Sequence, residues 1–193
     1  MTEKTFDGGL LPGPVTIGID QSLTGFALTF LNVNGPNHYI TWVYKSEFKG
    51  VKRLADISKW LSSKLSILKN EYIQDIAMEG TVLASHSALV LGELSATVKL
   101  TIWAYFMDYD HQDHLRTPLL IPPMTLKKYA AGKGNAKKQE MLMQIYKRFG
   151  VEFNDDNAAD SYALARLAAG IHLNAVDKEI VDKIKDPQYR DQI

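Results

Sequence analysis

The chain has 193 residues, of which 46% are hydrophobic and 23% charged, and its 22 basic residues balance 22 acidic ones to a formal net charge of zero. A chain of this length forms one globular domain with a sizeable core, and its neutral charge gives no bulk attraction for nucleic acid. Cysteine is absent, which excludes disulfides and thiolate zinc sites. We expect no secretory leader, no membrane-spanning run and a cytoplasmic location.

The N-terminal part of the chain contains the first candidate site residue. Residues 1–14 hold three glycines and two prolines, which predicts a flexible lead before the domain. Alternating apolar residues over 15–30 predict a β-hairpin, with Asp20 at the turn end of its first strand. A carboxylate at a buried strand end holds a cation or a helix N-terminus. The alternative, that Asp20 only caps the turn, stays open on this evidence.

Alternation and helical spacing predict the rest of the chain. A third antiparallel strand is predicted over 38–43 and an amphipathic helix over 51–68, and the strand predicted over 75–79 ends in a second acid, Glu79. A long apolar helix, a strand and three further helices follow, over 85–106, 118–123, 124–129, 137–149 and 157–172. We predict that Trp42, Trp60 and Trp103 lie in the core and that His111 and His114 lie on the surface.

Charge is distributed unevenly in the second half of the chain. Residues 127–148 contain seven basic residues and one acid, Glu140, whereas residues 152–160 contain acids and no base. A basic block beside an acidic block is typical of a phosphate-binding surface next to a metal site, and a solvated helix face is the alternative. The candidate phosphate-binding side chains are Lys127, Lys128, Lys133, Lys137 and Lys138.

Acidic residues recur at the ends of predicted elements. Asp20 and Glu79 each end a strand, and Asp160 lies in the first turn of the last helix, just after Asp155 and Asp156. Carboxylates gathered in this way repel one another unless a divalent cation lies between them, and oxygen ligands select Mg²⁺ or Mn²⁺. Two such ions, about 4 Å apart, support phosphodiester cleavage. Helix capping is the structural alternative for the acids of the last helix.

The order and spacing of these segments resemble those of RuvC-like Holliday junction resolvases, particularly the phage versions, within the ribonuclease H-like superfamily. The similarity extends from residue 15 to about residue 170. Four groups of residues carry it: Gly18-Ile-Asp20-Gln-Ser-Leu-Thr-Gly25; Ala77-Met-Glu79; Pro123-Met-Thr-Leu-Lys127 with Gly132-Lys-Gly134-Asn-Ala-Lys-Lys138; and Asn157-Ala-Ala-Asp160-Ser-Tyr-Ala-Leu-Ala165.

The resemblance implies an α/β fold of the ribonuclease H-like class. Its central mixed sheet would have five strands, three antiparallel and then two parallel, flanked by helices. The nuclease domain would occupy residues 15–174. The high charge of the remaining residues, 175–193, predicts a loosely attached helix or a charged C-terminal tail.

The resemblance also implies the site. At the positions that match the family's metal ligands, this chain has Asp20, Glu79 and Asp160. At the positions that match the family's lysines facing DNA, it has Lys127 and Lys138. Bacterial members usually have an acid or histidine three residues before the last acid, where this chain has Asn157. We therefore predict Asp156 as the fourth ligand, one helical turn before Asp160, with Asn157 as the alternative and Asp155 left open. The loop over 80–83 lacks the aromatic residue with which bacterial members open a junction.

The function implied is a metal-dependent endonuclease of DNA recombination and repair. It would use two Mg²⁺ or Mn²⁺ ions and resolve four-way junctions by paired symmetrical nicks that leave 5′-phosphates. Paired nicks need two active sites, so we expect a homodimer formed through the helix at 85–106. The alternatives are a nuclease of flaps, forks or Y-junctions and a catalytically silent junction-binding relative. Sugar kinases and actin-like ATPases share the core but need two such domains.

Overall fold

The computed structural model describes residues 2–10, 12–68, 71–80, 88–107 and 113–191. The strands are β1 (Thr2–Asp7), β2 (Val15–Asp20), β3 (Phe26–Asn32), β4 (Tyr39–Lys45), β5 (Ile73–Glu79) and β6 (Leu119–Ile121). The helices are α1 (Gly50–Leu65), α2 (Ala88–Phe106), α3 (Pro123–Ala131), α4 (Lys138–Phe149), α5 (Asp156–Ala168), α6 (Ala175–Lys185) and α7 (Pro187–Asp191). Short 3₁₀ turns lie at Ser66–Leu68 and Asp113–Arg116.

The described strands form one mixed sheet in the order β1-β4-β3-β2-β5-β6. The pairs from β1 to β2 are antiparallel, and β2, β5 and β6 are parallel to one another. Because the carboxyl ends of parallel strands meet at one edge, Asp20 and Glu79 lie at the same edge of the sheet. The predicted mixed sheet is confirmed, but it has six strands and not five.

The additional strand, β1, corrects the prediction of a flexible lead over residues 1–14. Thr2–Asp7 pairs with β4 along its whole length, and the glycines and prolines begin only after it, at Gly8. Two side-chain contacts fasten the strand. The ring of Phe6 packs edge-on against Phe153 at 5.3 Å, and Trp60 donates a hydrogen bond to the Glu3 carboxylate.

Helices cover both faces of the sheet. On one face α1 and α2 pack through residues such as Leu61, Leu94 and Ile102. On the other face α5 lies directly on β2 and β3, and α3, α4 and α6 pack around it. Every residue of β2 and β3 is buried, because a central strand covered on both faces has no exposed side.

The C-terminal segment is helical, which was one of its two predicted forms, but it is docked on the domain and is neither loosely attached nor a charged tail. Ile180 and Ile184 of α6 are buried in the core, and Arg148 of α4 forms an ion pair with the buried Asp177. Lys185 and Arg190 both bind Asp75 on β5. The charges of this segment are therefore internal partners, a role that composition alone does not reveal.

The α2 helix is the only described helix with the length and mean hydropathy of a membrane span, over 19 residues. A core helix of a soluble protein gives the same pattern, and Leu94, Val98, Ile102 and Phe106 are fully buried against the sheet and α1. Trp103 is 46% exposed on the opposite face of α2, so its predicted place in the core is wrong. Trp42 and Trp60 are buried as predicted.

Candidate active site

The four predicted acidic ligands meet in one cavity of about 270 Å³ at the carboxyl edge of the sheet. Asp20 comes from the end of β2, Glu79 from the end of β5, and Asp156 and Asp160 from the first turns of α5. The remaining residues that line the cavity are Gln21, Ser22, Leu91, Lys127, Lys138, Met141 and Asn157.

The close approach of α5 to the sheet brings Asp160 to Asp20. A Cβ atom on Gly18 would lie 1.9 Å from the carbonyl oxygen of Ser161 and 2.4 Å from the backbone nitrogen of Ala165, so only glycine fits beneath the helix. Thr16 donates a hydrogen bond to the Ala165 carbonyl oxygen at 2.9 Å. The hydroxyls of Thr29 and Ser161 lie 2.8 Å apart. These contacts fix the position of α5 along β2.

The start of α5 distinguishes the three candidates for the fourth ligand. Asp155 is the N-cap, and its carboxylate accepts hydrogen bonds from the backbone nitrogens of Asn157 and Ala158. Lys4 pairs with the same carboxylate at 3.4 Å. Asp155 therefore has a structural role, whereas Asp156 and Asn157 both line the cavity.

Burial raises the pKa values of Asp20, Glu79 and Asp160, and the charges of neighbouring acids add to the shifts of Asp20 and Asp160. Burial raises the pKa of Asp20 well above its usual range, and Glu79 and Asp160 raise it further. Burial also raises the pKa of Glu79, against a hydrogen bond from Asp20 and the charge of Lys127. The pKa of Asp160 is raised to about 7, first by burial and then by Glu79 and Asp156. The metal-free site therefore retains protons near neutral pH.

The predicted lysines divide into two groups. Lys127 of α3 and Lys138 of α4 line the cavity, and the ammonium group of Lys138 is paired with the Asp156 carboxylate. The other three have different surroundings. Lys128 lies in a groove beside Glu179 and Lys183, Lys133 is paired with Glu140 at 2.7 Å, and Lys137 is the exposed N-cap of α4.

The donor atoms of the cavity fit a hard divalent cation. In the described parts of the chain, no three Asp, Glu, His or Cys side chains are arranged to hold an ion as they stand. Asp20 is instead hydrogen-bonded to Glu79, and Asp156 is turned toward Lys138. However, Oδ1 of Asp160 is a buried oxygen without a hydrogen-bond partner. Carboxylate oxygens with unfilled acceptor capacity are the ligands that Mg²⁺ and Mn²⁺ prefer.

Sequence reasoning missed two polar residues of the cavity, Gln21 and Ser22. Their positions directly after Asp20, within the first matching motif, were the available signal. The loop over 80–83, predicted to lack a stacking residue, lies outside the described residues except for Gly80, and so does His111. His114 is exposed, as predicted.

Comparison with known proteins identifies the fold. No protein-family model and no curated protein sequence matches the chain. Thermus thermophilus RuvC in complex with a Holliday junction substrate is 19% identical, with a TM-score of 0.59 over 81% of this chain and 92% of that one. A second T. thermophilus RuvC structure is 17% identical, with a TM-score of 0.59 over 89% of this chain and 97% of that one.

A resolvase from a eukaryotic organelle has the same fold. The yeast mitochondrial Holliday junction resolvase Ydc2 is 17% identical, with a TM-score of 0.54 over 95% of this chain and 85% of that one. At these identities the likeness shows the fold alone. The chain has the RuvC-type, ribonuclease H-like fold, which confirms the predicted fold class.

Proposed function

We propose that the protein is a metal-dependent endonuclease that resolves four-way DNA junctions by paired nicks. The observation that carries the proposal is the convergence of Asp20, Glu79, Asp156 and Asp160 on one cavity at the carboxyl edge of a RuvC-type sheet. Two lysines beside these acids suit a phosphate backbone. A silent DNA-binding relative would have no need of four acids in one cavity, where the neighbouring carboxylates raise the pKa values of Asp20 and Asp160.

The acids of the cavity would hold one or two Mg²⁺ or Mn²⁺ ions, with Asn157 as a neutral oxygen donor at the entrance. Bound divalent cations supply activation of a water and stabilisation of the leaving oxygen in phosphodiester hydrolysis. Lys127 and Lys138 would bind and orient the phosphates on either side of the cleaved bond. Apolar walls formed by Leu91 and Met141 would limit competing water.

A junction has two-fold symmetry, and paired nicks therefore require two copies of the site. The exposed apolar side chains of α2, among them Leu100 and Trp103, suit contact with a second copy of this chain. The homodimer is part of the proposal, since it explains both the exposed helix face and the symmetry of the product.

The experiment that tests this function is cleavage of end-labelled synthetic DNA by the full chain. A four-way junction, a Y-fork and a plain duplex are compared with Mg²⁺, with Mn²⁺ and with EDTA, and Asp20→Asn is the inactive control. We expect metal-dependent, symmetrically paired nicks in the junction, with 5′-phosphate ends that a ligase seals. Plain duplex is expected to stay intact.

Other outcomes of this experiment contradict the proposal in identifiable ways. Faster cleavage of the fork than of the junction would indicate a flap or fork nuclease with the same chemistry. Tight junction binding without cleavage under either metal would leave a DNA-binding protein that has lost catalysis. Cleavage that persists in EDTA would exclude the metal-dependent mechanism.

The two lysines of the cavity are expected to account for part of the salt dependence of junction binding. Each phosphate contact contributes about 0.9 to the slope of log K against log salt concentration. The double variant Lys127→Met/Lys138→Met should therefore reduce this slope by roughly 2. The matched control is Lys59→Met/Lys178→Met, on the exposed surfaces of α1 and α6. Junction binding is measured by fluorescence anisotropy in Ca²⁺. Equal slopes for the two double variants would show that neither Lys127 nor Lys138 contacts the DNA phosphates.

A further inference from the structure

Gln21 is a buried polar residue of the cavity to which the proposed function gives no role. It follows Asp20 directly, is only 7% exposed, and lines the cavity with Asp20, Glu79 and Asp160. A buried amide at this position is not explained by the turn, because the Ser22 hydroxyl accepts the turn hydrogen bond from the Thr24 backbone. A separate cause for its burial is therefore needed.

The orientation of the Gln21 amide is fixed by a contact with the neighbouring strand. Its Nε2 atom donates a hydrogen bond of 2.6 Å to the backbone carbonyl oxygen of Glu79. The flipped amide would place Oε1 against that carbonyl oxygen, and two acceptors repel at such a distance. The amide nitrogen therefore faces Glu79, and the carbonyl oxygen Oε1 is the free end of the side chain.

This free oxygen is buried without a partner. Only three buried side-chain atoms in the described parts of the chain lack a hydrogen bond, namely Gln21 Oε1, Asp160 Oδ1 and Arg166 Nε. The first two are both acceptors, and both belong to residues that line this cavity. A buried acceptor without a hydrogen-bond partner loses its contact with water and gains nothing in return. Two such oxygens in one small cavity indicate that something other than the protein satisfies them.

We infer that Gln21 is a further metal ligand, which supplies its Oε1 atom as a neutral oxygen donor to a divalent cation in this cavity. The inference rests on the proposed function, since it assigns a residue to the same site. Amide oxygens are regular ligands of hard cations. A neutral ligand adds a coordinating atom without adding charge to four carboxylates that already repel one another. The bond to the Glu79 carbonyl oxygen fixes the orientation of the amide that carries this oxygen.

The test is Mn²⁺ binding by the full chain in the absence of DNA, with free Mn²⁺ measured by electron paramagnetic resonance. Gln21→Leu removes the oxygen and should weaken binding about 10-fold, the lower end of the range for residues that support a metal site. Gln21→Glu keeps an oxygen and loses the donor to Glu79, and should bind Mn²⁺ at least as tightly as the wild type. Melting curves in EDTA establish that each variant is folded.

Two comparisons distinguish a metal ligand from a residue that acts only through charge or only by positioning Glu79. The double variant Gln21→Leu/Thr24→Glu adds a negative charge near the cavity, at an exposed residue that does not line it, and supplies no oxygen at position 21, so it should bind as weakly as Gln21→Leu. If it binds as tightly as Gln21→Glu, charge alone acts and the inference is wrong. If Gln21→Glu is as weak as Gln21→Leu, the residue only positions Glu79, which also overturns the ligand role.

The wild type and Asp20→Asn separate failure of this inference from failure of the proposed function. If the wild type binds no Mn²⁺, or Asp20→Asn binds it equally well, the metal-dependent function fails. If Asp20→Asn abolishes binding while Gln21→Leu binds like the wild type, the function stands and only the role of Gln21 is refuted.

Discussion

Asp160→Asn is expected to abolish DNA cleavage and, at pH 8, to stabilise the metal-free protein. Loss of one carboxylate from a metal site removes several kcal/mol of transition-state stabilisation, so cleavage should fall at least about 1000-fold. Stability should change in the opposite direction. Burial and the charges of Glu79 and Asp156 destabilise the ionised carboxylate of Asp160. The neutral amide of asparagine removes both unfavourable interactions.

The pH dependence of this stabilisation follows from the direction of the pKa shift. The pKa of Asp160 is raised from 3.8 to about 7 in the folded chain, so the folded state binds more protons than the unfolded state between these values. Stability of the wild type therefore falls as pH rises through this window and is lowest above it. The difference corresponds to at most about 4 kcal/mol. Near pH 4 the variant and the wild type should be equally stable.

Urea unfolding in EDTA at pH 4.5, 6 and 8 measures this effect. The control is Asp182→Asn, a change of the same kind at an exposed position of α6, where stability should change by less than about 0.5 kcal/mol at every pH. Added Mn²⁺ should stabilise the wild type and not Asp160→Asn. If the difference in free energy of unfolding between Asp160→Asn and the wild type does not grow with pH, the pKa of Asp160 is not raised in the folded protein.

The positions of the acids in the cavity were predictable, because an acidic residue at the end of an apolar strand or at the start of a helix is recognisable in the sequence. Asp20 and Glu79 follow short apolar runs, and a carboxylate there is out of place unless it is used. The spacing to Asp160 favoured Asp156 over Asp155 but left Asp155 open, because both acids lie at the start of the same helix. Only the structure shows that Asp155 caps α5 while Asp156 enters the cavity.

The errors in the predicted fold have a common physical cause. Residues 2–7 and 175–185 are polar enough to look like solvated ends, yet their charged groups have partners that are distant in the sequence. Glu3 accepts a hydrogen bond from Trp60, and Asp177 is paired with Arg148. Such long-range pairs have no local signature, so composition predicts loose ends where tertiary contacts produce a strand and a helix.

The orphaned oxygen of Gln21 was equally inaccessible from the sequence. A glutamine directly after β2 is compatible with an exposed turn, and only its hydrogen bond to the Glu79 carbonyl oxygen shows how the side chain is oriented. The contact of Gly18 with α5 is of the same kind. The motif shows that position 18 is a glycine. The contact that requires a glycine there is with Ser161, which is distant in the sequence.

Gly18→Ala is expected to destabilise the protein by about 3 kcal/mol or more and to reduce cleavage about 100-fold. The added methyl group would meet backbone atoms of Ser161 and Ala165 at 1.9 and 2.4 Å, and backbone cannot rotate away as a side chain can. The helix must move outward, and overpacking of this kind is costly. Since Asp160 is carried by that helix, a shift of about 1 Å also misplaces a ligand, which costs about 100-fold in rate.

Gly92→Ala is the matched control, because a Cβ atom at this exposed position of α2 would meet nothing within 4 Å. Alanine in a helix is favoured over glycine by about 1 kcal/mol, so this variant should be slightly more stable than the wild type. Urea unfolding compares the two variants, and junction cleavage under the same metal compares Gly18→Ala with the wild type. If Gly18→Ala unfolds within about 1 kcal/mol of the wild type and cleaves normally, α5 does not position Asp160 through its contact with β2, and the geometry of the site must be maintained from α3 and α4 instead.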